Sequence, residues 1–167
     1  MVRLVSECFD KGCIPETINH TFISLIPKVS NAACMSQLRP ISLCNTYYKV
    51  VSKIIVQRLR HLIPSLISPN QVAFVPGRQI QDNIIVAQEV LYKFKKAKGK
   101  WGFLAWKIDL AKTYDRMQWG FIQEVLDEVG IEGKLSKLIM SCISSVQFKV
   151  LLNREASDSF RPKCGIR

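Results

Sequence analysis

The amino-acid sequence predicts a mixed α+β fold, because two kinds of hydrophobic periodicity occur along one chain. Apolar residues recur at helical spacing over 46–62 and 79–98. Shorter β-type runs cover 21–26, 102–109 and 146–152. The chain has 167 residues, of which 48% are apolar and 22% charged, so it is long enough for one sizeable core and full disorder is excluded.

The first third of the chain is predicted to contain a helix, a strand and a second helix. A short amphipathic helix ends at Gly12, and a strand follows over 21–26. A loop then runs to Arg39. Asn45 is a suitable N-cap for the helix over 46–62, because its side-chain oxygen accepts a bond from the first turn.

The middle third is predicted to be a turn-rich segment followed by a long helix. Residues 71–78 contain Pro76-Gly77, and the helix over 79–98 ends at Gly99. One side of this helix carries an apolar stripe of Ile80, Ile84, Ala87, Leu91 and Phe94. The pattern changes near Gly99, which predicts a subdomain boundary there.

The last third begins with the β-type run over 102–109. Helices over 119–129 and 135–143 follow, and a strand covers 146–152. Asn153-Arg154 is predicted to be a hairpin turn into a final extended segment.

Charge is distributed unevenly. The formal net charge is +11, from 24 basic and 13 acidic residues. No acidic residue occurs from Thr17 to Gln81, whereas seven basic ones do, and further lysines follow at 93, 95, 96, 98 and 100. This distribution favours a polyanionic partner such as nucleic acid. A solvated surface is the alternative.

The helix over 46–62 carries a polar stripe of Lys49, Lys53, Gln57 and Arg60 opposite its apolar positions. Arg58 falls on the apolar side, where a guanidinium needs a partner.

Cysteine use and hydropathy predict an intracellular protein, nuclear or cytoplasmic and not secreted. The six cysteines form no C-x-x-C pair and there are two histidines, which argues against zinc and for reduced thiols. No signal peptide is recognisable, and no apolar stretch is long enough to cross a membrane.

The segment Lys107–Met117 is the most informative for chemistry. Asp109 closes the β-type run, and a buried carboxylate needs either a pairing group or a metal. Alternatively, Asp109 is the N-cap of the turn that follows.

Four blocks occur in a fixed order: Leu25-Ile-Pro-Lys28; Arg39-Pro-Ile-Ser-Leu-Cys-Asn-Thr-Tyr-Tyr-Lys49; Gln71-Val-Ala-Phe-Val-Pro-Gly-Arg78; and Ile108-Asp-Leu-Ala-Lys-Thr-Tyr-Asp115. In this order they resemble the reverse transcriptase of non-LTR (LINE-type) retrotransposons, particularly those abundant in plants. The resemblance implies a partial right-hand polymerase fold, with helical fingers and an incomplete antiparallel palm sheet. Residues 1–100 would be the fingers and the approach to the palm, and 101–167 the start of the palm.

The resemblance implies that Asp109 is a catalytic aspartate and, with the Leu110 carbonyl, holds Mg²⁺, two ions in the intact enzyme and Mn²⁺ as an alternative. The deoxynucleoside triphosphate would lie along Ala111, Lys112, Thr113 and Tyr114. Tyr114 would stack beneath the sugar and exclude a 2′-hydroxyl. The family usually has alanine at the position of Thr113, so this departure puts efficiency in doubt.

Basic residues match fingers positions of the family. Lys28 and Arg39 would grip the triphosphate. Gln71, Phe74, Gly77 and Arg78 match a block near the template without individual roles, and Lys49, Lys53 and Arg60 would contact the nucleic-acid backbone. We expect a structural role for Asp115, and we expect either Asp115 or Asp82 to pair with Arg58.

The sequence contains no aromatic-x-Asp-Asp motif, and Gly-Ile-Arg167 matches the opening of the next palm motif. Residues 1–167 alone are therefore expected not to polymerise. The expected partners are the RNA template, the DNA primer, deoxynucleoside triphosphates and the missing palm and thumb segments, with no membrane. A non-catalytic module binding RNA or RNA–DNA hybrid, and an inactive translated relic, are the alternatives.

Overall fold

A computed structural model describes residues 1–99, 102–152 and 155–166. The chain forms two compact units, the first comprising Met1–Ile55 with Lys112–Arg167 and the second comprising Val56–Ala111. Their bounds differ from the predicted segments 1–100 and 101–167, whose assignment to fingers and palm stays a prediction. Lys100 and the turn predicted at Asn153-Arg154 lie outside the described residues.

The first unit is built on a four-stranded sheet of order β2-β1-β3-β4. Its strands are β1 (His20–Pro27), β2 (Leu38–Cys44), β3 (Gln147–Leu152) and β4 (Glu155–Ala156). The strand β1 pairs antiparallel with β2 and parallel with β3, while β3 pairs antiparallel with β4. A loop was predicted up to Arg39, but its last residues, Leu38 and Arg39, already belong to β2. Seven positions of β2 pair with β1, and this pairing holds the backbone extended.

Helices of the first unit follow the predicted periodicity closely. They are α1 (Val2–Lys11), the start of α2 (Thr46–Leu59), the one-turn helix α5 (Thr113–Arg116), α6 (Trp119–Glu128) and α7 (Gly133–Ser144). The Asn45 side-chain oxygen accepts the backbone N–H of Tyr47 at 2.9 Å, which confirms the predicted cap. The helix α2 ends at Leu59 rather than at residue 62.

The core of the first unit lies where α1 packs against α7. Val5 and Cys8 of α1 are buried, as are Leu138 and Cys142 of α7. These positions recur at helical spacing in each helix, so burial follows directly from the amphipathic pattern.

Asn19 is a polar residue inside this core, and it is fully buried. Its side-chain amide donates to the carbonyl oxygen of Cys142 at 3.3 Å and to the hydroxyl oxygen of Ser145 at 2.8 Å. Its own carbonyl accepts the N–H of Gln147 at 3.1 Å. Asn19 therefore fastens the start of β1 to the end of α7 and the start of β3.

The second unit contains the end of α2, the short helix α3 (Ile63–Leu66) and the long helix α4 (Ile80–Lys96). The long helix is confirmed, but its apolar stripe is not covered within the unit: Ile80, Ile84 and Leu91 are each more than half exposed. None of the described helices is long and apolar enough to cross a membrane.

The prediction of a strand over 102–109 is wrong. Residues 102–110 have no regular secondary structure, and the apolar side chains of this run are exposed, Trp106 at 79%. Phe103 stacks on Phe94 of α4 with ring centroids 5.0 Å apart. A β-type run becomes a strand only when a neighbouring strand accepts its backbone bonds, and in the described residues this segment lies outside the sheet.

Candidate nucleotide and nucleic-acid site

The β1–β2 hairpin brings the predicted triphosphate ligands Lys28 and Arg39 to one face. Ile26 pairs with Arg39 across the hairpin, and the backbone N–H of Lys28 donates to the carbonyl of Gln37 at 2.8 Å. Side chains alternate along a strand, and directly opposed residues share a face. Lys28 and Arg39 are therefore diagonal neighbours, which in such ladders lie about 7–8 Å apart.

Both of these side chains are exposed. The Lys28 ammonium donates to the carbonyl oxygen of Ser36 at 3.0 Å, which holds it over the turn of the hairpin. Lys149 of β3 pairs with Phe22 and so lies on the same face of the sheet, further along β1. Lys149 was not among the residues predicted from the sequence, although the alternation of side chains along β3 could have indicated it.

The one-turn helix α5 carries Thr113 and Tyr114, and Lys112 precedes it. Lys112 has a left-handed backbone (φ 54°), and its carbonyl accepts the N–H groups of Asp115 and Arg116 at 3.1 Å each. The Tyr114 side chain is 56% exposed. A single helical turn is not stable by itself, so α5 needs support from elsewhere in the fold.

That support comes from residues 164–166, and we call this segment the clamp. The N–H of Gly165 donates to the carbonyl of Met117 at 2.7 Å, and the N–H of Ile166 donates to the carbonyl of Tyr114 at 2.8 Å. The indole N–H of Trp119 donates to the carbonyl of Gly165 at 2.9 Å. The clamp therefore satisfies carbonyls at the end of α5 that the helix leaves free.

Only glycine fits at position 165. Its φ is +88°, and a Cβ there would lie 2.9 Å from the carbonyl oxygen of Asp115 and 3.1 Å from that of Tyr114. Gly-Ile-Arg167 matches the start of a family motif, but the contact between Gly165 and α5 was not predicted. No sequence pattern around Trp119 or Gly165 indicates that the two residues are hydrogen-bonded.

Asp115 lines a cavity of about 330 Å³ between the clamp and the sheet. The rest of the lining is mainly apolar, with Ile23, Phe148 and Phe160 among its members. The backbone carbonyl of Asp115 accepts the Cys164 thiol at 3.4 Å. The predicted ion pair between Asp115 and Arg58 stays a prediction.

The residues Asp109, Leu110 and Ala111 belong to the second unit, at the end of its extended segment. All three are exposed, so the expectation that Asp109 closes a buried strand is wrong. The N-cap alternative is also wrong, because the N-cap position of α5 is Lys112.

The described residues do not by themselves fit a two-metal site. No group of three or more His, Cys, Asp or Glu side chains suited to a metal ion occurs within 1–99, 102–152 and 155–166. Mg²⁺ takes oxygen ligands in near-octahedral geometry, and two ions need several carboxylates held together. No catalytic step through a metal follows from this segment.

The predicted backbone-contact residues are exposed. Lys49 and Lys53 lie on one side of α2, and Arg60 directly follows that helix. Arg58 is exposed as well. The pairing predicted for Arg58 with Asp82 or Asp115 stays a prediction.

The loop over 71–78 is braced by Arg78. The guanidinium donates to the backbone carbonyls of Ile67, Ser68 and Gln71. Asn83 donates to the carbonyl of Asn70 at 2.9 Å and ties α4 to the same loop, while Asp82 beside it is exposed. The Arg78 guanidinium therefore bonds to the backbone of residues 67–71, and a contact between Arg78 and nucleic acid stays a prediction.

Comparison with protein families matches residues 26–166 to the family described as Reverse transcriptase (RNA-dependent DNA polymerase). The match covers the end of β1, all of β2, the braced loop, α5 and the clamp. The chain belongs to the reverse transcriptase family.

Among curated proteins, this reverse transcriptase chain is similar to the transposon TX1 uncharacterized 149 kDa protein of Xenopus laevis. The two are 28% identical over 151 residues. The match takes in 90% of this chain but only 11% of the relative's length. The family match confirms the reverse transcriptase resemblance that the four sequence blocks predicted, and an origin in a non-LTR retrotransposon stays a proposal.

Proposed function

We propose that this segment binds the RNA template, the DNA primer and the incoming deoxynucleoside triphosphate for a retrotransposon RNA-directed DNA polymerase. The observation that carries the proposal is the pair of exposed cations, Lys28 and Arg39, on one face of a fully paired hairpin. The remaining carboxylates for chemistry would come from other parts of a longer polymerase.

The hairpin suits a triphosphate for a physical reason. A guanidinium offers planar paired donors to phosphate oxygens, and an ammonium adds a point charge beside it. Because the strands are paired along their length, the two cations are held near one another without ordering a loop on binding. Lys149, on the same face, extends the positive field along the sheet.

Tyr114 is the proposed sugar-contacting residue. Tyr114 is more than half exposed, the Lys112 carbonyl closes the helical turn that carries it, and the clamp holds its own carbonyl. A ring held in this way can lie under a deoxyribose and leave no room for a 2′-hydroxyl. Ala111, Lys112 and Thr113 would line the approach to it.

The nucleic-acid backbone would contact Lys49, Lys53 and Arg60, which supply affinity without base specificity. Gln71 and Arg78 would contact the template from the braced loop. Magnesium, with manganese as an alternative, would be bound in the longer polymerase, where Asp109 and the Leu110 carbonyl would be joined by further ligands.

The triphosphate part of the proposal is tested by titrating the chain with inorganic tripolyphosphate and dATP under NMR detection. We expect Arg39→Gln to weaken both by about tenfold, in line with a charge-assisted bond to phosphate. Arg3→Gln, which removes an exposed arginine from α1, is the matched control and leaves binding unchanged. Equal weakening by both variants would contradict the assignment of Arg39.

A non-catalytic RNA-binding module is the second candidate function, and the exposed cations Lys49, Lys53 and Arg60 favour it. It keeps the contacts to the nucleic-acid backbone and needs no nucleotide. Tight single-stranded RNA binding without measurable dATP binding would select this candidate.

A further inference from the structure

Phe74 combines a highly exposed apolar side chain with a left-handed backbone conformation. With 89% exposure it is the most exposed large apolar side chain in the part of the chain that the structure describes. Its backbone is left-handed, with φ 63°. That conformation costs a non-glycine residue about 1–2 kcal/mol, so the surrounding loop must enforce it.

The loop around Phe74 provides that enforcement. Val75, the next residue, is 6% exposed, so a buried side chain directly follows Phe74. Arg78 ties the loop to the carbonyls of Ile67, Ser68 and Gln71, and its own N–H donates to the carbonyl of Val75. Phe74 is therefore held outward by a braced frame.

The charge of this region selects the partner. Within the second unit, the stretch from Val56 to Gln81 holds Arg58, Arg60 and Arg78 and no acidic residue. An aromatic ring in such a region is suited to a polyanion that also carries flat π-faces, which is the chemistry of single-stranded nucleic acid.

We propose that Phe74 is a stacking site for an unpaired base of single-stranded RNA. The proposal rests on the proposed nucleic-acid binding and adds a base contact to its backbone contacts. The braced loop presents the ring already ordered, so stacking costs little conformational entropy. A base stacks on any aromatic face, so this contact is tolerant of sequence.

The test is fluorescence anisotropy of a labelled 12-nucleotide oligoadenylate with the whole 167-residue chain. Phe74→Ala is expected to weaken binding by between about 5- and 150-fold, the range for loss of one base–aromatic stack. Phe74→Trp should retain binding. The slope of log affinity against log salt should not change, because no phosphate contact is lost.

Two controls make the result specific. Phe121→Ala removes an exposed phenylalanine from α6 and should leave affinity unchanged. An abasic oligomer of the same length should bind wild type and Phe74→Ala equally, because it has no base to stack. Circular dichroism of each variant checks that the fold is retained.

The outcomes separate this inference from the proposed function. Salt-dependent binding with equal affinity for wild type and Phe74→Ala would overturn the stacking site alone. A wild-type chain that does not bind the oligoadenylate at all would overturn both. A Phe74→Ala effect that persists on the abasic oligomer would also overturn stacking.

Discussion

The indole N–H of Trp119 donates to the carbonyl oxygen of Gly165 at 2.9 Å, across 46 positions of sequence. Two further bonds, from Gly165 to Met117 and from Ile166 to Tyr114, complete the clamp on α5. The consequence is that the conformation of Tyr114 depends on residues far along the chain. The clamp couples α5 to the segment that begins at Gly165.

Gly165→Ala tests the clamp. The left-handed backbone and the 2.9 Å approach to the Asp115 carbonyl both oppose a Cβ, so we expect a loss of about 2–4 kcal/mol in the free energy of unfolding. Gly130→Ala is the control, because its φ is +75° but nothing lies within 4 Å of the added Cβ. Gly130→Ala should lower the free energy of unfolding by about 1 kcal/mol. Equal losses in urea unfolding would show that the close approach is unimportant.

The fold was predictable where the signal was local. Amphipathic spacing and the N-cap residue Asn45 predicted α2, and similar spacing predicted α6 and α7. The strand β2 was missed because Arg39-Pro40 interrupts the alternation and only its pairing with β1 holds it extended. The run over 102–109 had strand character but no strand partner among the described residues.

The candidate site was predictable in its residue types but not in its geometry. The hairpin cations and Tyr114 are predicted from the sequence through the family resemblance, and their roles stay proposals. The contact of Trp119 with Gly165 could not, because it joins distant segments through backbone groups that every residue has. Asn19 was missed for a related reason, since its partners lie on α7 and its role appears only after folding.

Asn19→Ala is expected to destabilise the chain by about 1–3 kcal/mol, because the mutation leaves buried polar partners unsatisfied. The amide of Asn19 supplies donors to the Cys142 carbonyl and the Ser145 hydroxyl. Asn70→Ala, at an exposed position, should change stability by no more than about 0.5 kcal/mol. Urea unfolding of the two variants measures the difference, and an equally small effect at Asn19 would contradict its structural role.

Cys34 is expected to be the most reactive thiol. The hydrogen bond with the Ser36 hydroxyl lowers the pKa of the exposed Cys34 thiol below 9.0, so more thiolate is present at a given pH. Burial raises the pKa of the Cys8 thiol, which should react more slowly than Cys34. Iodoacetamide labelling near neutral pH, read by mass spectrometry, measures the order. Ser36→Ala should slow labelling at Cys34, and an unchanged rate there would count against the hydrogen bond as the cause.

The 167-residue chain is expected to show no magnesium-dependent primer extension. Its described residues bring together no group of metal-binding side chains, and one carboxylate cannot hold two ions in geometry. The measurement is extension of a labelled DNA primer on an RNA template. Extension by the wild-type chain that disappears in Asp109→Asn would contradict this expectation.

The salt dependence of RNA binding tests the central claim most directly. We expect log affinity for a single-stranded RNA to fall linearly with log salt concentration, with a slope of about −0.7 per phosphate contact. Lys49→Gln with Lys53→Gln should make that slope shallower by about 1.4. Lys134→Gln with Lys137→Gln removes the same charge from α7 and should leave the slope unchanged. A wild-type affinity that does not depend on salt, or equal slopes for the two double variants, would contradict the account of this segment as a nucleic-acid-binding part of a reverse transcriptase.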